Sequence, residues 1–197
     1  MVKVSIYYEA LCYDSKRFII NQLYPAYSQI GYRLLLDFVP YGKASHTLIN
    51  DKWIFRCQHG ELECLANKYQ ACGLEFGKSQ YQTLEYIYCL STSANASSVD
   101  AVGHCAPKLG KTAEDILRCS ESRQGDELLV KYGDRTHSIQ PIVTFVPTII
   151  YNDDFDPYLQ ELSLKNFLKA VCAILDNKPK ECHSFIGSRD EDYFYLN

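Results

Sequence analysis

Nine cysteines in a chain of 197 residues constrain this sequence more than any other feature, because the count is odd and the spacing uneven. Structural zinc sites bring their thiolates in tight C-x2-C knuckles that aim two sulfurs at one ion. No such knuckle occurs, so no metal is expected, and four disulfides plus one unpaired thiol fit instead. Cys12 stands 45 residues from the next cysteine and is the thiol left over. Cys57, Cys64, Cys72, Cys89, Cys105, Cys119, Cys172 and Cys182 supply the bridges. Such a framework belongs to an oxidising compartment, and Asn95-Ala96-Ser97 is a permitted N-glycosylation triplet that makes Asn95 a candidate glycan acceptor. Met1-Val2-Lys3 leads straight into strand character, as expected of a mature chain whose leader has been removed.

Charge and hydropathy exclude two classes of partner. A formal net charge of −4 gives no basic patch on which a nucleic-acid binder would rest. Apolar runs such as Leu34-Leu35-Leu36 fall far short of a membrane span. No cofactor is called for, since neither a phosphate-binding glycine loop nor a Ser-His-Asp arrangement stands out.

Residues Lys3 to Tyr8 are β-branched and aromatic and read as a strand. Ser15 to Leu23 has helical spacing through Phe18, Ile19 and Leu23, and Pro25 should end or kink that helix. Arg33 to Val39 is nearly continuous in apolar residues, as a buried parallel strand would be, and Pro40-Tyr41-Gly42 closes it. Residues 57–135 read as a helical, cysteine-rich insertion, with a capping-box spacing at Thr112 and Asp115. Asp126 to Tyr132 is a further short helix there, with Gly133 as its C-cap. Strand character returns over Ile142 to Tyr151, interrupted by Pro147, and a second short strand is expected around Phe155 after the turn at Asn152-Asp153-Asp154. Leu164, Phe167, Leu168, Val171, Cys172 and Leu175 form one apolar stripe of a last helix that ends near Asp176-Asn177, and Cys182 is placed to fold back onto Cys172. The order is that of an α/β thioredoxin-like fold: 1–56 and 136–183 form the domain, 57–135 the insertion and 184–197 a loosely docked tail.

Cys12 falls at the junction of the first strand and the first helix. A helix N-terminus presents unpaired N–H groups and a partial positive charge, both of which favour a thiolate. Pro147 interrupts an otherwise central strand, where proline is poorly tolerated. A cis Val146–Pro147 bond facing Cys12 would explain it, since cis peptides are essentially confined to proline.

Residues 57–72 match C-Q-H-G-x2-E-C-x2-N-x4-C at every fixed position, from Cys57-Gln58-His59-Gly60 through Glu63, Cys64 and Asn67 to Cys72. Together with Tyr7-Tyr8-Glu9-Ala10-Leu11-Cys12, Val39-Pro40-Tyr41-Gly42 and Val146-Pro147, this resembles the gamma-interferon-inducible lysosomal thiol reductase family over residues 3–182. The resemblance implies a glycosylated thioredoxin-like protein of lysosomes or the secreted space that reduces protein disulfides at acidic pH through a C-x-x-C pair. Here Cys12-Tyr13-Asp14-Ser15 puts serine at the second position.

A dithiol reductase forms a mixed disulfide with its first thiolate and resolves it with its second thiol. Cys12 is the candidate for the first step, and Ser15 cannot perform the second. The Ser15 hydroxyl is available to donate to a Cys12 thiolate, while the Asp14 carboxylate disfavours a second negative charge nearby. An ordinary cysteine is only about 0.1% thiolate near pH 5.5. Three functions fit: a polypeptide-binding protein with little turnover, a monothiol reductase whose mixed disulfide is resolved by a small thiol, or an interaction protein dimerised through Cys12. His59 is expected to cap a helix or bond to backbone, and Glu61 and Glu63 to complement a helix dipole. His46, His104, His137 and His183 show no partner spacing. Cys64 and Cys72 on one helix would be about 12 Å apart and could not pair. With Cys172–Cys182 accepted, the six remaining bridge cysteines leave 15 connectivities open.

Overall fold

The computed structural model describes residues 1–185, so the tail expected at 184–197 lies, beyond residue 185, outside the described residues. The central sheet has the order β2-β1-β5. Strand β1 (Val2–Tyr8) pairs in parallel with β2 (Leu34–Pro40) in the register Val2↔Leu34 to Tyr8↔Pro40, and antiparallel with β5 (Thr148–Tyr151). Being central, β1 is almost wholly buried, which its Val-x-Val-x-Ile-Tyr-Tyr sequence suits. This parallel pair with an antiparallel third strand is the thioredoxin-like core.

The crossover between β1 and β2 is one long helical stretch: α1 (Tyr13–Phe18), a π turn over Ile19–Leu23, and α2 (Tyr24–Ile30). Pro25 does not end the helix. It sits in the first turn of α2, and the preceding turn widens, which accommodates both its missing N–H and its ring. Helix α8 (Pro157–Ile174) packs on the same side and is broken at Asn166, whose φ is −154°. The break exposes new N–H groups, and two are met: Lys169 N donates to Asn166 Oδ1 at 2.9 Å and Phe167 N to Gln22 Oε1 at 3.2 Å. Phe18 and Phe167 meet edge to face in the core between them.

Between β2 and β5 stand a hairpin and a block of helices. The hairpin, β3 (Ser45–Ile49) and β4 (Lys52–Arg56), had no counterpart among the expected elements; Asn50 and Asp51 both adopt positive φ at its tip, as a primed turn requires. The helices are α3 (Glu61–Phe76), α4 (Gln80–Thr92), α5 (Val99–Cys105), α6 (Ala113–Ser120) and α7 (Arg123–Ser138). Thr112 and Asp115 form the capping box of α6. Gly133 is interior to α7 rather than its cap, because the helix runs on to Ser138; the Tyr41 ring and His46 lie where a Cβ would be. His46 and His137, which sequence spacing left unpartnered, stack at 5.6 Å, and Tyr41 OH meets His46 Nδ1 at 2.7 Å. Arg135 anchors α7 to the sheet through a two-pronged bond to Asp37, whose Oδ2 also accepts from Ser5 Oγ at 2.9 Å.

Two strand expectations fail. Residues 142–147 are not strand: Ile142 and Phe145 point to solvent, and pairing begins only at Thr148. Around Phe155 there is only an isolated bridge between Tyr151 and Asp154, because the tight turn leaves no length for a fourth strand. The disulfides are Cys57–Cys64, Cys72–Cys119, Cys89–Cys105 and Cys172–Cys182, with Cys12 free. Among the described residues no helix is long and apolar enough to cross a membrane.

Candidate active site

The chain leaves β1 at Tyr8 and turns into α1 over four residues. Cys12 is the N-cap of α1, in extended conformation (φ −63°, ψ 125°), and its carbonyl accepts the first helical bond from Lys16 N at 3.0 Å. Its Sγ lies 3.9 Å from the carbonyl of Val146, and Val146–Pro147 is cis. Residues 134 apart in sequence are thereby brought to one point, and Cys12 is only 9% exposed there. Ser15, one turn further on, is completely buried. Its Oγ accepts from Glu9 N at 3.4 Å, and among the described residues no hydrogen bond joins it to Cys12. The hydroxyl that was available to the sulfur serves the backbone of the approach loop instead. Asp14 is exposed and 3.6 Å from Arg17, so its charge is met by a cation and by water rather than by the thiol alone.

Grooves flank α1 on both sides. One, of about 480 Å³, runs between Arg17, Asn21 and Gln22 and the Phe145–Val146–Pro147 edge. The other, of about 460 Å³, runs between Leu11, Tyr13 and Lys16 and the end of α4 at Ser91–Ser93. Lys16 donates to Ser93 O at 3.3 Å, and burial lowers its pKa. Tyr13 and Phe145 present exposed rings on either side of the cysteine.

The segment before Cys12 is held by α3. Glu63, Asn67 and Gln70 recur on one helical face and all three are fully buried. Asn67 Oδ1 accepts from Ala10 N at 2.9 Å, and Gln70 Oε1 accepts from Tyr8 OH at 2.5 Å. Glu63 accepts from His59 N at 3.0 Å and meets His59 Nδ1 at 2.6 Å. His59 therefore bonds a side chain rather than capping a helix, and Glu63 is a buried partner rather than a dipole charge. Glu9 lies against the same imidazole, its Oε2 3.4 Å from Nδ1, while its Oε1 accepts from Lys43 N at 2.8 Å. Gly42, at φ +62°, passes so close over Glu9 that a Cβ would collide with it. Burial raises the Glu9 carboxyl pKa, the Lys43 N–H opposes the rise, and the Glu63 charge adds to it. Glu9, Gln70 and the role of Asn67 were not read from sequence. For α3 the available signal was a polar stripe at spacings of four and three, Glu63, Asn67 and Gln70, on one helical face.

Asn95 is exposed and its Oδ1 accepts from Ser97 Oγ at 2.7 Å. Of the residues singled out in sequence, the structure gathers Cys12, Ser15 and Pro147; Asn95 and the bridge cysteines lie in the surrounding framework.

A cysteine capping the first helix, beside the Val146–Pro147 turn that opens an antiparallel strand, places the chain in the thioredoxin-like class. The family model described as gamma interferon inducible lysosomal thiol reductase matches residues 3–109. A gamma-interferon-inducible lysosomal thiol reductase-like protein of Anopheles gambiae is 36% identical over 192 residues, covering 92% of this chain and 80% of that protein. GILT-like protein 1 of Drosophila melanogaster is 32% identical, covering 95% of this chain and 80% of its own length. The gamma-interferon-inducible lysosomal thiol reductase of Mus musculus is 29% identical, covering 95% and 74%. The chain belongs to the gamma-interferon-inducible lysosomal thiol reductase family.

Proposed function

We propose that this family member captures cysteine-containing polypeptides at Cys12 and turns them over poorly, acting in a lysosomal or secreted compartment. The observation that carries the reading is Ser15: fully buried, bonded to Glu9 N, and standing where a resolving thiol is needed. The chemistry follows from that substitution. A Cys12 thiolate attacks one sulfur of a substrate disulfide, an S–S bond forms to Cys12, and the other substrate sulfur leaves as thiolate. Reduction is completed only when a second thiol attacks the Cys12 sulfur, and Ser15 supplies none. The mixed disulfide then persists until a small thiol arrives. The exposed Tyr13 and Phe145 rings and the paired grooves suit an extended polypeptide laid across the helix end. The four disulfides and the exposed Asn95 suit an oxidising, secretory route. A Cys12 of such low exposure suits a thin peptide strand better than the same cysteine of a second globular copy.

The test is insulin-disulfide reduction at acidic and neutral pH, with and without added small thiol, for wild type, Cys12→Ala and Ser15→Cys. Wild type is expected to accumulate a covalent insulin adduct, visible on non-reducing electrophoresis and absent in Cys12→Ala. Ser15→Cys should turn over without the adduct. Even an effective concentration of about 1 M for the new thiol, far below the ~10⁵ M of well-oriented intramolecular groups, outruns about 1 mM external thiol a thousandfold. Wild-type turnover equal to that of Ser15→Cys refutes the proposal, and turnover that scales with small thiol establishes the monothiol enzyme instead.

A further inference from the structure

We propose that Glu9, His59 and Glu63 form a site for a divalent transition-metal ion, zinc being the best match, with His59 Nδ1 and one oxygen of each carboxylate as ligands. The three donor atoms lie within 4.8 Å of one another. Each carboxylate is tied by one oxygen to a backbone donor, Glu9 Oε1 to Lys43 N at 2.8 Å and Glu63 Oε1 to His59 N at 3.0 Å. Each aims its other oxygen at the same imidazole nitrogen, at 3.4 and 2.6 Å. Such backbone bonds orient metal-binding carboxylates.

The direct hydrogen bond between His59 and Glu63 accounts for only one of the two carboxylates. Nδ1 carries at most one proton, and at 2.6 Å that proton goes to Glu63. Glu9 Oε2 accepts no hydrogen bond, although the side chain is only 1% exposed. A buried carboxylate oxygen without a donor is costly, and a second buried carboxylate beside it raises the cost. A cation placed among the three atoms satisfies both acceptors and the nitrogen lone pair at once. The Nδ1 proton gives way to it, moving to Nε2 of a neutral ring or to solvent from an imidazolium, and the ligand is a neutral imidazole with its proton on Nε2. Two carboxylates and a neutral imidazole balance a charge of +2.

Donor type selects the ion. Calcium and magnesium favour all-oxygen cages, whereas imidazole with carboxylates suits zinc, cobalt and their neighbours. Tetrahedral zinc with bonds of about 2.0–2.2 Å separates its ligands by about 3.4 Å, the separation already present between Glu9 and His59. His59 is 42% exposed in its side chain, so the fourth position opens to solvent on that side. The Cys57–Cys64 bridge closes the loop that carries His59 onto the first turn of α3, and Gly42 lets the β2 exit lie over Glu9. The site would tie α3 to the residue three positions before the nucleophile.

The experiment uses the full chain with its disulfides intact, stripped with chelator and titrated with zinc chloride at pH 7 by calorimetry. Cobalt absorption gives a second readout. One equivalent is expected in wild type and in Cys12→Ala, with affinity at least about tenfold weaker in His59→Gln and Glu9→Gln. His59→Gln changes a half-exposed residue, and circular dichroism confirms that it folds. The cobalt spectrum should show four-coordinate nitrogen and oxygen ligation without a thiolate charge-transfer band. Absence of saturable binding, unchanged affinity in His59→Gln, or a thiolate band that disappears in Cys12→Ala would each overturn the site.

Discussion

Asn67→Ala is the sharpest probe of how α3 positions the approach to Cys12. In the native chain Asn67 Oδ1 accepts from Ala10 N at 2.9 Å, and both residues are buried. Truncation leaves the Ala10 N–H without a partner, which costs about 1–3 kcal/mol. It also opens a void of roughly 40 Å³, worth about 1 kcal/mol at ~24 cal/mol per Å³. Part of this is returned, because Asn67 Nδ2 is itself buried without a partner and its desolvation is relieved. The net expectation is a loss of about 2 kcal/mol, or about 4–8 °C in melting temperature for a chain of this size. Ala10 is two residues from Cys12, so release of its tie should also speed alkylation of Cys12 by iodoacetamide. Scanning fluorimetry and mass-spectrometric alkylation kinetics measure both. A melting shift below about 1 °C with unchanged alkylation would refute the idea that α3 positions the approach to Cys12.

Replacing Cys72 and Cys119 together by alanine should cost more than replacing Cys57 and Cys64, because the sequence separations are 47 and 7. The chain-entropy estimate is about 4 against about 2.5 kcal/mol, read by urea denaturation; equal losses would refute it. Thr112→Ala removes the α6 cap and should cost about 0.5–2 kcal/mol in the same assay. The Asp115 carboxyl pKa is lowered by its bonds to Thr112, so its contribution is present above the ordinary carboxylate range and fades as pH falls through the depressed value. Asp115→Asn should therefore lower the melting temperature near pH 7 and cease to matter in strong acid. Gly133→Ala should destabilise by about 1–3 kcal/mol despite alanine's higher helix propensity, since its Cβ meets Tyr41 and His46; a stabilised variant would refute that packing.

The first strand, the crossover helix and β2 were legible because buried parallel strands and amphipathic helices write their periods into sequence. Cys12 was legible as the odd thiol at a strand-to-helix junction, Pro147 as a proline in a strand context, and Ser15 only through the C-x-x-C pattern that the resemblance implies. The β3–β4 hairpin was missed because its strands are short and largely exposed, with only Trp53 and Phe55 half-buried against His46, although Asn50-Asp51 was a turn signal. Ile142–Phe145 was misread because an apolar run signals burial or binding alike, and Phe145 lines a groove instead of a sheet. That Glu9 joins His59 and Glu63 was not read, since Glu9 and His59 lie 50 positions apart and meet through a fold that the local pattern does not specify.

The four bridges carry a consequence for how the molecule comes apart. Three close entirely between Cys57 and Cys119, and the fourth between Cys172 and Cys182. Only the backbone between Cys119 and Cys172 joins these two groups covalently. A single nick in the exposed run at 139–145 would therefore yield two pieces that part on a non-reducing gel, one bearing Cys12 and the other Pro147. The Cys12–Pro147 junction is an interface between those pieces, and its lifetime after cleavage is that of a noncovalent complex.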